Sequence, residues 1–308
     1  MRIGVVGYGY FGPNVARAFE AEWVCDTSEE RLKIVPAHIK TTADYGEMLK
    51  NVDAVAVCTP LESHFGLAMQ AIEAGKHVFV EKPMTHSVES ASHLVKAAEA
   101  KGVMLAVDHT FIFTGAVKKL LQTDLGNLLY YQSTRVNLGI YRPDADVIWD
   151  LASHDFAILC ALTNKIPTHI SAIGSAHVGS KYDTANITVT YDCGLAAYIF
   201  VSWLSPIKVR TVILAGAEKM AVYDDCQAHE KLKIYDSRVE VKQTMLAEYR
   251  TGDVVIPKLS GAEALAQEAA AFRYGYGYIS GVQGLRVVRM LEAATKSAVC
   301  GGARQVVC

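Results

Sequence analysis

A lysine and an aspartate–histidine pair are the residues of this sequence whose types and spacing could move a proton. Lys82 stands in the run Val80-Glu81-Lys82-Pro83, directly after a predicted strand, where side chains of a parallel sheet reach a ligand crevice. Asp150 and His154 are four residues apart in a predicted helical segment, so they would share one helix face. Together the three residues predict acid–base chemistry on an alcohol or carbonyl, with Lys82 stabilising charge on the oxygen.

Each of these residues also has a purely structural interpretation. A lysine at a strand end is more often a surface side chain, and an Asp–His pair on a helix is more often a surface or interdomain hydrogen bond. Tyr141 and Arg142, in the loop before the predicted helix, could contact a diphosphate or a sugar, and loop exposure explains them equally well. For His109 the sequence favours a turn over a role in the crevice. Four aromatic residues are interpreted as core or interface rather than a sugar platform: Phe111, Phe113, Trp203 and Tyr223.

A glycine-rich turn lies between the first predicted strand and the first predicted helix. Its residues, Gly7-Tyr8-Gly9-Tyr10-Phe11-Gly12, fit the pattern G-x-G-x-x-G. In this pattern Gly7 permits the tight turn, Gly9 lets the backbone approach a pyrophosphate, and Gly12 allows the helix to pack closely on the strand. Because the turn has this strand–helix context, we predict a dinucleotide-binding loop rather than an ordinary glycine-rich turn.

The preference between the two nicotinamide dinucleotides depends on residues after the second predicted strand. Asp26 is the candidate for the adenosine ribose hydroxyls, which favours NAD. Arg31, one helical turn further on, could instead contact the 2′-phosphate of NADP, and a surface aspartate in a turn is the structural alternative. The sequence therefore predicts NAD as the cofactor and leaves NADP open.

The order of apolar segments predicts two domains. Over the first 110 residues, continuous apolar strands alternate with helical patterns, which is typical of parallel β-α-β units covered on both faces. We expect a doubly wound Rossmann domain over 1–110. Beyond it, strands follow one another through Gly or Asp turns, so we expect an α+β domain over 111–308 with an open, mostly antiparallel sheet. This second domain would bind the substrate and support oligomerisation.

Composition excludes several classes of function. The chain has 308 residues, of which 51% are hydrophobic and 20% charged, as in folded globular proteins. Its formal charge is −2 and no basic stripe stands out, so neither a nucleic acid nor an anionic membrane is an expected partner. No apolar run reaches the ~18 residues of a membrane span, and no signal peptide is recognisable, so a cytoplasmic location is expected. The seven cysteines contain no Cys-x-x-Cys pair, which favours free thiols and no metal site.

Several motifs together resemble the Gfo/Idh/MocA family, named after glucose–fructose oxidoreductase, inositol dehydrogenase and rhizopine catabolism. The family-wide motifs are Val6 to Asn14 around the glycine turn, Cys58-Thr59-Pro60 with His64, Ala74-Gly75-Lys76-His77-Val78, and Glu81-Lys82-Pro83. Four further stretches resemble, more narrowly, a branch of nucleotide-sugar 3-dehydrogenases or ketoreductases: Asn137-Leu138-Gly139, residues 149–155, residues 201–204 and residues 220–225.

The resemblance implies roles for these residues. Glu81 and Lys82 would help to hold the nicotinamide and the substrate hydroxyl. Asp150 and His154 would be the Asp-x-x-x-His catalytic pair of the family. The remaining cofactor neighbours would be Cys58, Thr59, Pro60 and His64. By analogy with such proteins, we also expect a homodimer or a homotetramer.

These observations predict an NAD(P)-dependent oxidoreductase that transfers a hydride between nicotinamide and a secondary alcohol or ketone carbon of a sugar, most simply a nucleotide sugar. One alternative substrate is a free polyol such as an inositol, or a dihydrodiol. A third possibility is a dinucleotide-binding protein without turnover. The segment between the glycine turn and Asp26 is shorter than in members of the family that the sequence resembles, and this difference favours the third possibility. The segment between Phe272 and Gly281 is also shorter than in that family, which we interpret as a trimmed surface loop.

Overall fold

The computed structural model describes residues 1–139, 145–241 and 247–307. The chain divides into two units, Met1–Phe113 with Ala262–Val288, and Thr114–Gly261 with Arg289–Cys308. The sequence predicts one boundary at residue 110, with everything after it in the second domain. The segment 262–288 instead returns to the first unit because its apolar side chains, Leu265, Ala269 and Phe272, belong to the first core.

The first unit contains a six-stranded parallel sheet. Its strands are β1 (Ile3–Val6), β2 (Trp23–Cys25), β3 (Lys40–Thr42), β4 (Ala54–Val57), β5 (His77–Val80) and β6 (Leu105–Val107). Their order is β3-β2-β1-β4-β5-β6, the doubly wound arrangement, and the predicted Rossmann fold is confirmed. Every residue of β1 and β4 is buried because helices cover both faces, which explains the uninterrupted apolar runs.

The second unit contains a nine-stranded mixed sheet. Its strands are β7 (Leu128–Leu138), β8 (His169–Ser175), β9 (Thr184–Thr190), β10 (Ala196–Ser202), β11 (Leu204–Gly216), β12 (Met220–Asp224), β13 (Leu232–Val241), β14 (Ala247–Val255) and β15 (Gln305–Val306). The order is β14-β13-β12-β11-β7-β10-β9-β8-β15. Among these described strands only β7 and β10 pair in parallel, so the predicted mostly antiparallel sheet is confirmed.

The α-helices carry clear start and stop signals. They are α1 (Gly12–Ala18), α2 (Glu29–Lys33), α3 (Tyr45–Asn51), α4 (Leu61–Glu73), α5 (Val88–Lys101), α6 (Gly115–Leu121), α7 (Ser153–Thr163), α8 (Ala264–Tyr274) and α9 (Gly281–Val299). Ser87 caps α5 by accepting a hydrogen bond from the Ser90 amide, and Gly102 ends it with φ of 64°. Helix α4 begins at Leu61, with Pro60 at the N-cap.

The core of the first unit is aromatic at its centre. Phe19, Phe79 and Phe272 are each 0–1% exposed, and their ring centroids are 4.6 to 5.9 Å apart. Phe19 follows α1, Phe79 lies in β5 and Phe272 lies in α8, so the cluster joins three separate segments of chain. Within the described part of the chain, no helix combines the length and apolar composition of a membrane span.

Candidate active site

The glycine turn after β1 is tightly packed except at its middle glycine. Gly7 has φ of 93°, and a Cβ there would lie 2.7 Å from the Cys58 carbonyl oxygen. A Cβ on Gly12 would overlap the Gly7 carbonyl oxygen. On Gly9, by contrast, a Cβ would meet nothing closer than Arg31 Nη1 at 4.0 Å. The backbone at Gly9 therefore borders open space, the feature that a pyrophosphate requires of this turn.

Asp26 lies at the carboxyl end of β2, directly beside the glycine turn. Its Oδ2 accepts a hydrogen bond from the Tyr8 amide at 2.7 Å, and its Oδ1 accepts one from the Ser28 amide at 2.9 Å. Arg31 Nη1 is 3.5 Å from Oδ2. Helix α1 has only seven residues, yet β2 forms and delivers Asp26 to the turn. The short segment between the glycine turn and Asp26 is therefore long enough for a helix and a strand, because the helix is short.

His64 connects the ends of two neighbouring strands. It is 2% exposed in α4, with Nε2 2.8 Å from the carbonyl oxygen of Thr59 and Nδ1 3.0 Å from that of Pro83. Burial lowers the pKa of His64 despite these carbonyl contacts. Since Thr59 follows β4 and Pro83 follows β5, His64 fixes the two loops relative to each other.

Two neighbours of His64 complete this part of the turn after β4. Burial and the nearby carboxylates of Glu81 and Asp108 raise the pKa of the Cys58 thiol well above its usual range, so Cys58 is not a thiolate nucleophile. The Thr59 hydroxyl accepts a hydrogen bond from Ser63 at 2.7 Å. Of the remaining residues of the glycine turn, Tyr8 is buried, Phe11 is half-buried and Tyr10 is 95% exposed.

Lys82 follows β5, in a turn with a cis peptide bond to Pro83. The Glu81 amide donates to the Val57 carbonyl at 2.9 Å, which continues the sheet pairing of β5 with β4 up to the residue before Lys82. The ammonium group influences two buried groups after β6, since its charge contributes to the pKa values of Asp108 and His109. Lys82 is therefore at the carboxyl edge of the parallel sheet, as the sequence predicted.

Asp150 lies in the second unit, in a π-helical segment, Ile148–Ala152, that leads into α7. Asp146 begins this segment by accepting hydrogen bonds from the Ile148 and Trp149 amides at 3.0 and 3.1 Å. The Asp150 carboxylate accepts a hydrogen bond from Trp203 Nε1 at 3.1 Å. The sequence predicts a continuous α-helix from Asp150 to His154, whereas the wider turn of the observed π-helical segment changes the angular spacing of the two side chains.

His154 is the second residue of α7, and its neighbour Asp155 anchors the helix. Arg135 of β7 donates to Asp155 through Nε at 2.8 Å and through Nη2 at 3.3 Å. His154 is itself half-buried. The remaining predicted substrate-binding residues, Tyr141 and Arg142, lie outside the described residues.

Two features of these sites are not predicted by the sequence. Trp203, interpreted only as core or interface, holds the Asp150 carboxylate, and Gly139 makes room for it, since a Cβ there would lie 2.9 Å from Trp203 Cδ1. In the first unit, Glu268 of α8 contacts the loop after β6. Periodicity could not reveal either contact, because each joins residues more than 50 positions apart.

The residues of the first unit fit a nicotinamide dinucleotide. Gly9 leaves room at the backbone for a diphosphate, Asp26 supplies a carboxylate beside it, and Lys82 supplies an amine at the carboxyl edge of the same sheet. Among the described residues, no cluster of three or more His, Cys, Asp or Glu could hold a metal ion.

Comparisons with known proteins agree with this geometry. Residues 1–109 match the oxidoreductase family with an NAD-binding Rossmann fold, and residues 131–222 match the GFO/IDH/MocA C-terminal domain. The UDP-N-acetylglucosamine 3-dehydrogenase of Acidithiobacillus ferrooxidans is 34% identical over 233 residues, which cover 73% of this chain and 74% of the relative.

Two further matches come from a solved structure and an inositol enzyme. A structure of the same Acidithiobacillus ferrooxidans protein superposes with a TM-score of 0.82 over 97% of each chain, at 29% identity. The myo-inositol 2-dehydrogenase of Thermotoga maritima is 25% identical over 225 residues, 65% of this chain and 67% of the relative. Both family matches and the dehydrogenase relatives confirm the resemblance found in the sequence. The chain belongs to the Gfo/Idh/MocA family of NAD-binding oxidoreductases.

Proposed function

We propose that this oxidoreductase interconverts a secondary alcohol and a ketone on the sugar ring of a nucleotide sugar. The observation that carries the proposal is the similarity to a UDP-N-acetylglucosamine 3-dehydrogenase over 97% of both chains. The presence in this chain of Lys82, Asp150 and His154 supports it, because these residue types supply the proton chemistry that alcohol oxidation needs.

The proposed roles follow from the chemistry of each side chain. In the oxidation direction, the carbon loses a hydride and its hydroxyl loses a proton, which leaves a ketone. A bound nicotinamide supplies the hydride acceptor. His154, as the neutral imidazole, takes the hydroxyl proton, Asp150 orients the ring and stabilises the imidazolium that forms, and the Lys82 ammonium donates a hydrogen bond to the oxygen as negative charge develops. The hydrogen bond from Trp203 supports the role of Asp150 by fixing its carboxylate.

The substrate is expected to be recognised partly through its diphosphate. Arg142 and Tyr141 carry this part of the proposal, since a guanidinium and a phenol suit phosphate and sugar oxygens. A free polyol is the second candidate substrate, and the similarity to a myo-inositol 2-dehydrogenase favours it. An inositol offers no diphosphate, so Arg142→Ala should weaken the use of a nucleotide sugar and leave inositol oxidation unaffected.

The first experiment is to follow NADH formation at 340 nm with a panel of UDP-sugars, dTDP-sugars and inositols. We expect turnover with a nucleotide sugar and little with inositols. Lys82→Ala and His154→Ala should each lower kcat by about 10²- to 10⁴-fold while NADH affinity changes little. Normal turnover in both variants would refute the residue roles, and NADH binding without turnover on any substrate would favour a non-catalytic dinucleotide-binding protein.

Self-association through the second sheet is a further part of the proposal. The strand registers place four residues side by side in a row across the sheet: Tyr198 of β10, Gln132 of β7, Ile213 of β11 and Val222 of β12. Tyr198 is 49% exposed on this face. We propose a homodimer or homotetramer that covers the row, together with a cytoplasmic location, which the free thiols of the described cysteines favour. Tyr198→Glu should reduce the mass measured by light scattering.

A further inference from the structure

A group of buried ionisable side chains lies after β6 and is not used in the proposed mechanism. Asp108 and His109 follow the strand directly, and Glu268 of α8 packs against them. The three residues are 3%, 2% and 1% exposed. Ionising both carboxyl groups, Asp108 and Glu268, away from water would cost much free energy, because each charge loses its hydration and the two repel each other.

The hydroxyl of Thr110 lies between the two carboxyl groups. Its Oγ1 is 2.5 Å from Asp108 Oδ1 and 2.9 Å from Glu268 Oε2. A hydroxyl has one hydrogen and can donate to only one of these oxygens. If both carboxyl groups were ionised, the second contact would set two oxygen atoms against each other with no proton between them. The geometry therefore requires one additional proton on this group.

The additional proton fits Glu268 better than Asp108. Glu268 Oε1 accepts a hydrogen bond from the His109 amide at 2.9 Å, which leaves Oε2 to carry a proton and donate to Thr110. Asp108 Oδ1 accepts from both the amide and the hydroxyl of Thr110, as an anion does. Burial, and then Asp108, raise the pKa of Glu268 well above its usual range. Burial also raises the pKa of Asp108, but the nearby Lys82 ammonium opposes that shift.

We propose that Glu268, Thr110 and Asp108 form a proton-sharing chain in which Glu268 is a neutral acid and Asp108 is the anion that balances the charge of Lys82. In this chain Glu268 donates to Thr110, and Thr110 donates to Asp108. Asp108 holds the Lys82 ammonium in position, so it acts as a positioning residue. The part that concerns Lys82 rests on the proposed function, whereas the neutrality of Glu268 does not.

The other charged groups around the chain are consistent with one net negative charge. Glu81 raises the pKa of Glu268 further, and Lys82 is the cation that influences both Asp108 and His109. Burial first and Lys82 second lower the pKa of His109 to about 3, so His109 is a neutral neighbour. Cys58 is also uncharged, because Glu81 and Asp108 add to the effect of burial on its thiol.

A direct test is infrared spectroscopy of the full chain at pH 7. The wild type should show the carbonyl stretch of a protonated carboxylic acid, shifted in heavy water, and Glu268→Gln should lack it. Glu263→Gln, at the exposed start of the same helix and paired with Arg17, is the matched control and should keep the band. A wild type without this band, or a Glu268→Gln variant that retains it, would overturn the neutrality of Glu268.

Stability against pH gives a second readout that does not need a substrate. A carboxyl group with a raised pKa in the folded state stabilises the fold at low pH and loses that contribution as pH rises above its unfolded pKa of about 4.3. The melting temperature of the wild type should therefore fall relative to that of Glu268→Gln between pH 5 and pH 8. A constant difference over this range would also overturn the neutral Glu268.

The role toward Lys82 is tested by the pH profile of kcat with the best substrate. Asp108→Asn should move the alkaline limit to lower pH, because the anion beside the ammonium is lost. Glu268→Gln preserves an uncharged hydrogen-bonding group and should retain the wild-type limit, whereas Glu268→Ala should not. An unchanged alkaline limit in Asp108→Asn would overturn the positioning role. If no substrate is turned over, the proposed function fails, while the infrared and stability results still decide the charge state of Glu268.

Discussion

Substituting one member of the buried ion pair between Arg135 and Asp155 should lower the stability of the second unit strongly. Their side chains are 4% and 1% exposed, and two hydrogen bonds join the guanidinium to the carboxylate. Burial disfavours the charged guanidinium, but Asp155 more than offsets this effect and the pKa of Arg135 is raised. Asp155→Asn removes the negative charge and keeps the shape. Removing one partner of a buried pair costs about 3–5 kcal/mol, and we expect about 3 kcal/mol because asparagine still accepts one hydrogen bond.

This loss is measurable by thermal unfolding. For a unit of this size, 3 kcal/mol corresponds to a fall of about 6–12 °C in Tm. Asp236→Asn is the control, since its partner Arg250 is 50% exposed and a surface pair contributes about 0–1 kcal/mol. The apolar double variant Arg135→Met with Asp155→Leu should recover most of the loss, because neither charge remains buried. If Asp155→Asn unfolds within 2 °C of Asp236→Asn, the pair does not anchor α7 as described.

Three further predictions concern the first unit. Gly9→Ala should leave Tm unchanged but weaken NADH binding at least about tenfold, whereas Gly12→Ala should lower Tm, because only a Cβ on Gly12 overlaps protein atoms. Fluorescence titration with NADH measures the first effect and thermal melts the second. NADH should bind more tightly than NADPH, since the Asp26 carboxylate repels a 2′-phosphate, and Arg31→Ala should widen the difference in the same titration. Acidification below pH 6.5 should destabilise the wild type relative to His109→Phe by about 1.4 kcal/mol per pH unit, because the imidazole is protonated in the unfolded chain but stays neutral in the fold, where its pKa is about 3. Parallel pH dependences of the unfolding free energy in urea would contradict this.

The fold was predictable because its signals are local. The glycine turn, the apolar runs of β1 and β4 and the change to turn-linked strands after residue 110 each arise from neighbouring residues. The strands β3 and β15 were missed, since β3 is polar with two of its three residues exposed, and β15 has only two residues. Strand β14 was missed for a different reason: most of its residues are polar, and its only described neighbour in the sheet is β13.

The positions of some candidate site residues in the fold were predictable, but their hydrogen-bond partners were not. Lys82 and Asp26 could be located from strand ends alone, because a parallel sheet brings its carboxyl ends to one edge. The contact of Trp203 with Asp150 and that of Glu268 with Thr110 depend on tertiary packing. The π-helical turn at Asp150 was also out of reach, since its sequence has the same four-residue spacing as an α-helix.

The dependence of the first core on Phe272 has a consequence for synthesis on the ribosome. A nascent chain that has emerged as far as residue 113 contains every strand of the Rossmann sheet, but Phe19 and Phe79 still lack the third ring of their cluster. Part of the apolar surface of this sheet would then stay exposed to water until more than 150 further residues have been translated. A fragment that ends at residue 113 should consequently aggregate, and supplying residues 262–288 through a flexible linker should restore its solubility.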